Sequence, residues 1–377
     1  MRRSTLPFFL ALALLLSAPL TVSAQDAGDA SFGELIEVSE VLLDVLVTNK
    51  DGDVVLGLGP EDFVVVDGKE ERPITGADFY SNRFLMRDDA PKGKIQQPPQ
   101  DEIPSDRFFI LFFHDQRRND PGNLLFRRQM RASKHAQRWV REEMLQGDWV
   151  AVLSYDVKLK VQSDFTQDRG QLQEAIRRAS LGKDPSNEWA SRREDVPVEA
   201  PSLLAHLPEG KELRDNSEHL YDGLSLAAEA TRDIHGRKTM MLFTVGFGDV
   251  RSPVGNSFQP GRGSTSRPDE RYYPKLKASL NDNNVAVYPI DLVPSEWDHS
   301  QRDFLNLLAA DSGGLYLFNF VSFMTPMKRI ADEANGYYLL SYQAEHASGE
   351  SGYRNLKVKA RNPEFTVRAR TGYRFGA

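Results

Sequence analysis

Residues 108–120 read FFILFFHDQRRND. The opening run is apolar at every position, without alternation. That is the pattern of a strand buried on both faces, as in a parallel sheet with helices on either side. It ends on His114 and Asp115, and open α/β sheets bind their ligands outside the carboxyl ends of such strands. Arg117 and Arg118 follow at once and bring fixed positive charge with no acceptor atom. Three more runs of this kind lie downstream: WVAVLSYD (149–156), KTMMLFTVG (238–246) and NVAVYPIDL (284–292). LYLFNF (315–320) reads as a further strand, and VKLKVQSDF (157–165) as an extension or partner of the strand before it. Segments 122–146, 167–180, 216–234, 269–282, 300–311 and 322–335 read as helices. Buried strands separated by helical crossovers predict an α/β fold with a doubly wound, mostly parallel sheet.

The two ends of the chain are different. Residues 36–80 carry β-rich runs broken by Lys50-Asp51-Gly52 and Asp67-Gly68, both hairpin signals. The tail holds GYYLLSYQ (336–343), YRNLKVKAR (353–361) and FTVRARTGYR (365–374). Each set alone is short of strands, so the two are expected to build one β-sandwich module together. The expected division is a signal peptide over 1–24, an N-terminal β module over 33–85, a Pro-rich charged linker over 86–106, the α/β domain over 107–335 and the C-terminal strands over 336–377.

Export is read from the first residues. Arg2 and Arg3 precede an apolar run over 7–20, and Val22-Ser23-Ala24 supplies small residues at the positions before a cut. Cleavage after Ala24 is expected; the rival is an uncleaved anchor, for which the run is short. Localisation is therefore periplasmic or secreted, with no transmembrane segment after cleavage. The chain has 377 residues, no cysteine and a formal net charge of −7. Such a mild acidic balance speaks against a general nucleic-acid binder, and without cysteine no disulfide forms.

In order along the chain, LDVLVTNKDGDVVLGLGPEDFVVVDGK, RFFILFFHD, GDWVAVLSYD, DFTQDRGQL, HLYDGLSLAAEA, GRKTMMLFTVGF, NVAVYPIDL, LAADSGGLYLFN, YYLLSYQ and VRARTGYR resemble the von Willebrand factor A fold, and within it an exported bacterial branch called VWFA-related. The resemblance spans roughly residues 36–375 and rests on the ordered series rather than on one motif. It implies a protein-binding module, and for many members a metal-ion-dependent adhesion site. There an Asp-x-Ser-x-Ser loop, a Thr and a further Asp hold a divalent cation that captures a carboxylate of the partner. Hard oxygen donors suit magnesium or calcium.

This chain departs from that pattern. The first loop keeps Asp115, but its serine positions are Arg117 and Asn119. Where the family often has Thr-Asp-Gly, here stand Thr244-Val245-Gly246. The family Thr maps near Asn216, Ser217 or Glu218. With two donors lost and arginine added, no metal and no cofactor are expected. Arginine offers a substitute, since its guanidinium grips a carboxylate in a bidentate fork. The candidate ligand-binding residues are thus Asp115, Arg117, Arg118, Asn119, Ser217 and Thr244, and the expected partner is an unidentified envelope or extracellular protein. The plainer reading of the same loop is an Arg–Asp pair that neutralises itself.

Two other features have plain readings too. Arg127, Arg131, Lys134, Arg138 and Arg141 share one face of helix 122–146. Such a stripe can meet an acidic polymer, or can be a solvated face with ion pairs to Glu142 and Glu143. Loops 182–216 and 246–268 should overhang the binding face, where long loops recognise partners or shield the surface. The rival class is an enzyme. No Gly-x-Ser-x-Gly elbow, His-Glu-x-x-His helix or phosphate loop is present. A hydrolase or metal-dependent enzyme would have to use His114, Asp115 and His219, brought together at the strand ends.

Overall fold

Alternate residues of FFILFF feed two different cores. Phe108, Ile110 and Phe112 join one apolar cluster, while Phe109, Leu111 and Phe113 join another on the opposite face of the sheet. The arrangement is seen in a computed structural model that describes residues 36–81, 106–115, 121–185, 200–251, 265–294, 300–347 and 349–376. The signal segment 1–24 and most of the linker 86–106 lie outside the described residues, as do Arg117, Arg118 and Asn119.

The chain opens with β1 (Ile36–Thr48), β2 (Phe63–Asp67), β3 (Glu70–Arg72) and β4 (Ile74–Ser81). The α/β part runs β5 (Arg107–His114), α1 (Leu124–Glu142), β6 (Asp148–Tyr155), β7 (Leu159–Thr166), α2 (Arg169–Ser180), α3 (Gly210–Asp215) and α4 (Leu220–Glu229). It continues with β8 (Lys238–Thr244), β9 (Asp249–Arg251), β10 (Thr265–Arg267), α5 (Tyr273–Asp282), β11 (Val285–Asp291), α6 (Arg302–Ser312) and α7 (Met324–Glu333). The tail forms β12 (Gly336–Ala347), β13 (Gly352–Ala360), β14 (Thr366–Arg368) and β15 (Gly372–Phe375).

The central sheet has the order β11-β8-β5-β6-β7. It is parallel except for β7, which turns back antiparallel on β6. Helices α4, α5 and α6 cover one face; α1, α2 and α7 cover the other. Every residue of β5 is buried, as expected for the middle strand of a sheet covered on both sides. Helix starts follow local chemistry. Gly122 and Asn123 take left-handed φ angles of 79° and 57° just ahead of α1, and the Asp168 carboxylate caps α2 by accepting from the Gly170 and Gln171 amides.

Both ends of the chain build the sandwich. One sheet is ordered β14-β1-β12-β4 and the other β15-β13-β2-β3. Leu43, Val45, Tyr338 and Leu340 from the first meet Phe63, Val65, Leu356 and Tyr373 from the second in a single core. Neither set has enough strands to close that core alone.

Two expectations need correction. LYLFNF is not a full strand: a single parallel bridge joins Leu317 to Ile290, and Asn319 then turns the backbone to φ 62°, which a strand cannot continue through. Helix 216–234 is shorter than its pattern at both ends: α4 runs only Leu220–Glu229, and ahead of it Ser217 and His219 are drawn into contacts outside the helix. The basic stripe of α1 takes the plain form at its C-terminal end. Its residues are exposed, and Arg138 and Arg141 both pair with Glu142.

Buried charges hold the strand starts to their surroundings. Arg107 makes a two-pronged contact with Asp148, both bonds at 2.6 Å, and adds bonds to the Ala331 carbonyl and to Asn335 Oδ1. Between sandwich and α5, Asn284 donates to Asp44, Arg370 to the Asn281 carbonyl at 3.0 Å, and Arg374 pairs with Asp282 at 2.9 Å. Burial pushes the Asp44 carboxyl above its usual range and holds the Lys238 amine down at about 8.

Candidate functional site

The carboxyl ends of β5, β6 and β8 converge on His114. Its Nδ1 lies 2.9 Å from Thr244 Oγ1, across the parallel pair. The ring is buried, edge-on to Tyr155 and Phe247 at 6.1 and 6.0 Å between centroids. Desolvation holds its pKa down at about 3, so the imidazole is neutral at physiological pH. Asp115 continues the β5–β6 ladder, its amide donating to the Tyr155 carbonyl at 2.8 Å. The residue is half-buried at the mouth of the strand ends.

The segment after β8 is stitched down. The Gly246 amide donates to Thr244 Oγ1 at 2.9 Å. Gly246 has φ 95°, and a Cβ there would stand 2.3 Å from Gln301 Cβ; only glycine fits. Gln301 holds Gly248 from both sides, accepting from its amide and donating to its carbonyl at 2.8 Å each. Phe247 is thereby pressed between His114, Tyr221 and Phe304. Tyr221 stacks on Tyr272, and Tyr272 lies tilted against His219, 4.5 Å between centroids. An aromatic plug thus fills the space under the loop face.

Of the residues singled out in the sequence, the structure joins His114 to Thr244, with Asp115 next along the chain. Ser217 has another post. It is fully buried, accepts from the Leu159 amide at 3.1 Å and donates to the Leu213 carbonyl at 2.6 Å, tying the start of β7 to the turn before α4. His219 pairs with the Tyr272 hydroxyl at 2.9 Å, while His114 pairs with Thr244. The two rings bond to different side chains. Asp291, at the end of β11, accepts from the Tyr316 hydroxyl at 2.6 Å and from the Val293 amide.

A cation of the adhesion-site type needs several hard oxygens facing one point. Here the Thr244 and Ser217 hydroxyls are committed to protein partners, and Val245 packs against the core under α1 and α7. Among the described residues no group of three or more His, Cys, Asp or Glu comes together as a metal shell. Among the described residues, the Thr244 and Ser217 hydroxyls are thus turned to protein partners. Phe247, Tyr221, Tyr272 and Gln301 went unnoticed in the sequence. Their one signal is position: Phe247 stands just past the end of β8, and the others at helix starts.

No family model matches the sequence, and no curated protein does. Solved structures do resemble the fold. The vWF domain of the type V pili tip protein Mfa5 from Porphyromonas gingivalis is 14% identical, with 61% of this chain and 95% of that one covered at a TM-score of 0.37. The conserved hypothetical protein BatB from Bacteroides thetaiotaomicron is 12% identical, with 60% and 96% covered at 0.36. A von Willebrand factor type A protein from Catenulispora acidiphila is 9% identical, with 90% and 72% covered at 0.38. The fold assignment itself rests on the strand order and helix layers described above.

Proposed function

We propose that this chain is an exported von Willebrand A-type protein-interaction module, without enzymatic activity, whose loop face takes a carboxylate of its partner on arginine instead of on a cation. The observation that supports this best is the state of the strand ends. Thr244 and His114 are locked to each other, Val245 is half-buried against the core, and Asp115 stands at the mouth two residues ahead of Arg117. A fixed guanidinium fork does directly what a bridging cation would do. Asp115 orients it, and the aromatic plug gives the face a rigid floor.

The enzyme reading is disfavoured on the same geometry. A buried imidazole with its pKa near 3 is a poor general base at neutral pH, and His219 is turned to Tyr272. Among the described residues no helix is long and apolar enough to cross a membrane. Residues 1–24 as a cleaved signal, and the sandwich as the support for the binding domain, belong to this same proposal.

The test is retention of envelope proteins by the immobilised chain. Proteins held by the wild type should be lost with Arg117→Ala/Arg118→Ala, a loss of about 2–5 kcal/mol if the ion pair is desolvated, and should survive a chelator. Retention that ignores both arginines but disappears with chelator would reverse the proposal.

A further inference from the structure

One strand of the sandwich has an edge that is only half used. On one side β1 pairs with β12 from Ile36 to Val45. On the other it pairs with β14 only at Leu46, Val47 and Thr48. Backbone groups in an antiparallel strand turn alternately to its two edges. Val47 accepts from the Val55 amide on the β12 side, whereas Leu42 accepts from Arg370 Nη2 at 2.8 Å on the opposite side. The even-numbered residues therefore present N–H and C=O to the open edge. Among the described residues the backbone groups of Val38 and Glu40 have no partner there.

The open edge is one wall of a groove of about 650 Å³, whose other wall is the last strand of the opposite sheet, Tyr373 to Gly376. Leu42 and Val38 are unusually exposed for their type, at 49% and 58%. His346 lies in the same groove, buried and stacked on Phe375 at 4.1 Å, and among the described residues neither ring nitrogen has a hydrogen-bond partner. Arg370 Nε, also buried, has none either. Buried polar atoms without partners are uncommon in folded proteins, and two side chains here carry them at the edge of one groove.

We propose that this groove is a strand-addition site: an extended segment of a partner protein pairs with Val38 and Glu40, the stretch of β1 that β14 and Arg370 leave open. The lining sets the chemistry. Unpaired N–H and C=O groups recurring every second residue match a peptide backbone in the extended form. The segment's inward side chains meet Tyr373, Phe375 and Val41 and are apolar, so its sequence alternates apolar and polar residues. A neutral His346 offers one donor and one acceptor to a polar side chain among them. A second copy of this chain is a poorer occupant. Two-fold pairing centred on Glu40, the register that uses both Val38 and Leu42, would set Glu40 against Glu40, and like charges directly opposite are destabilising.

The test uses decapeptides selected from a random display library on the purified full chain, followed by amide exchange of the complex. Bound peptide should slow exchange at Val38 and Glu40. Glu40→Pro removes the outward amide without touching the β12 ladder, and Leu42→Lys places a charge on the edge. Each should weaken the selected peptides at least about tenfold with the melting curve unchanged. Because Leu42→Lys alters only an exposed side chain, the proposal stays testable if the proline variant does not fold. Protection confined to the loop face, full binding by both variants, pairing of two chains through this edge, or no selected peptide at all would overturn it.

Discussion

Asp148→Ala should cost about 3–5 kcal/mol of stability, the penalty for leaving a buried charge unpaired. Asp148 and Arg107 have side chains only 1% and 5% exposed. Besides Arg107, the carboxylate accepts from the Leu145 amide at 2.7 Å. Removing it strands a guanidinium against Phe109, whose ring centroid is 5.0 Å from Arg107 Cζ. Replacing both partners by apolar residues, Arg107→Met with Asp148→Leu, should recover most of the loss, since a buried pair adds little over good packing. Urea unfolding of the three proteins measures this. A loss below about 1 kcal/mol in the single variant would mean that water reaches the pair.

Acid should weaken the fold through His114. The unfolded chain takes up its proton near pH 6.5, while the folded chain resists until about 3. The folded pKa is the lower one, so the unfolded state binds more protons between these values. Stability is then full above pH 6.5, falls as pH drops toward 3, and levels off below. By pH 5 the loss from this group is about 2 kcal/mol. Burial of Asp44 and Asp164 raises their pKa values and acts in the opposite sense. The measurement is therefore the difference between wild type and His114→Gln across pH 7.5 to 4. The variant should be less acid-sensitive, and parallel curves would show that the ring is solvated.

The double-faced core was legible because FFILFF has no polar side to show to water, and both of its faces are indeed buried. The shared sandwich was legible from strand counting, since an isolated pair of short β segments cannot bury its own apolar residues. What escaped depends on contacts between distant positions. Phe247 gains its meaning only when Gln301 pins Gly248 beside it. Ser217 entered the site only as one of three positions near the family Thr, and its partners, the Leu159 amide and Leu213 carbonyl, are backbone groups that no side-chain pattern announces. LYLFNF has strand composition throughout, and one left-handed asparagine ends its pairing. His114 and His219 could both be placed near the strand ends; which way each ring turned was decided by Thr244 and Tyr272.

A loop face that works without a divalent cation should be silent in titration calorimetry of the wild-type chain with millimolar magnesium. No one-site heat should appear, whereas Arg117→Ser/Asn119→Ser/Val245→Asp, which restores the oxygen donors and removes the opposing charge, should bind the ion measurably. A clear one-site heat from the wild type would mean that a cation binds there after all, on a different set of oxygen atoms at the face.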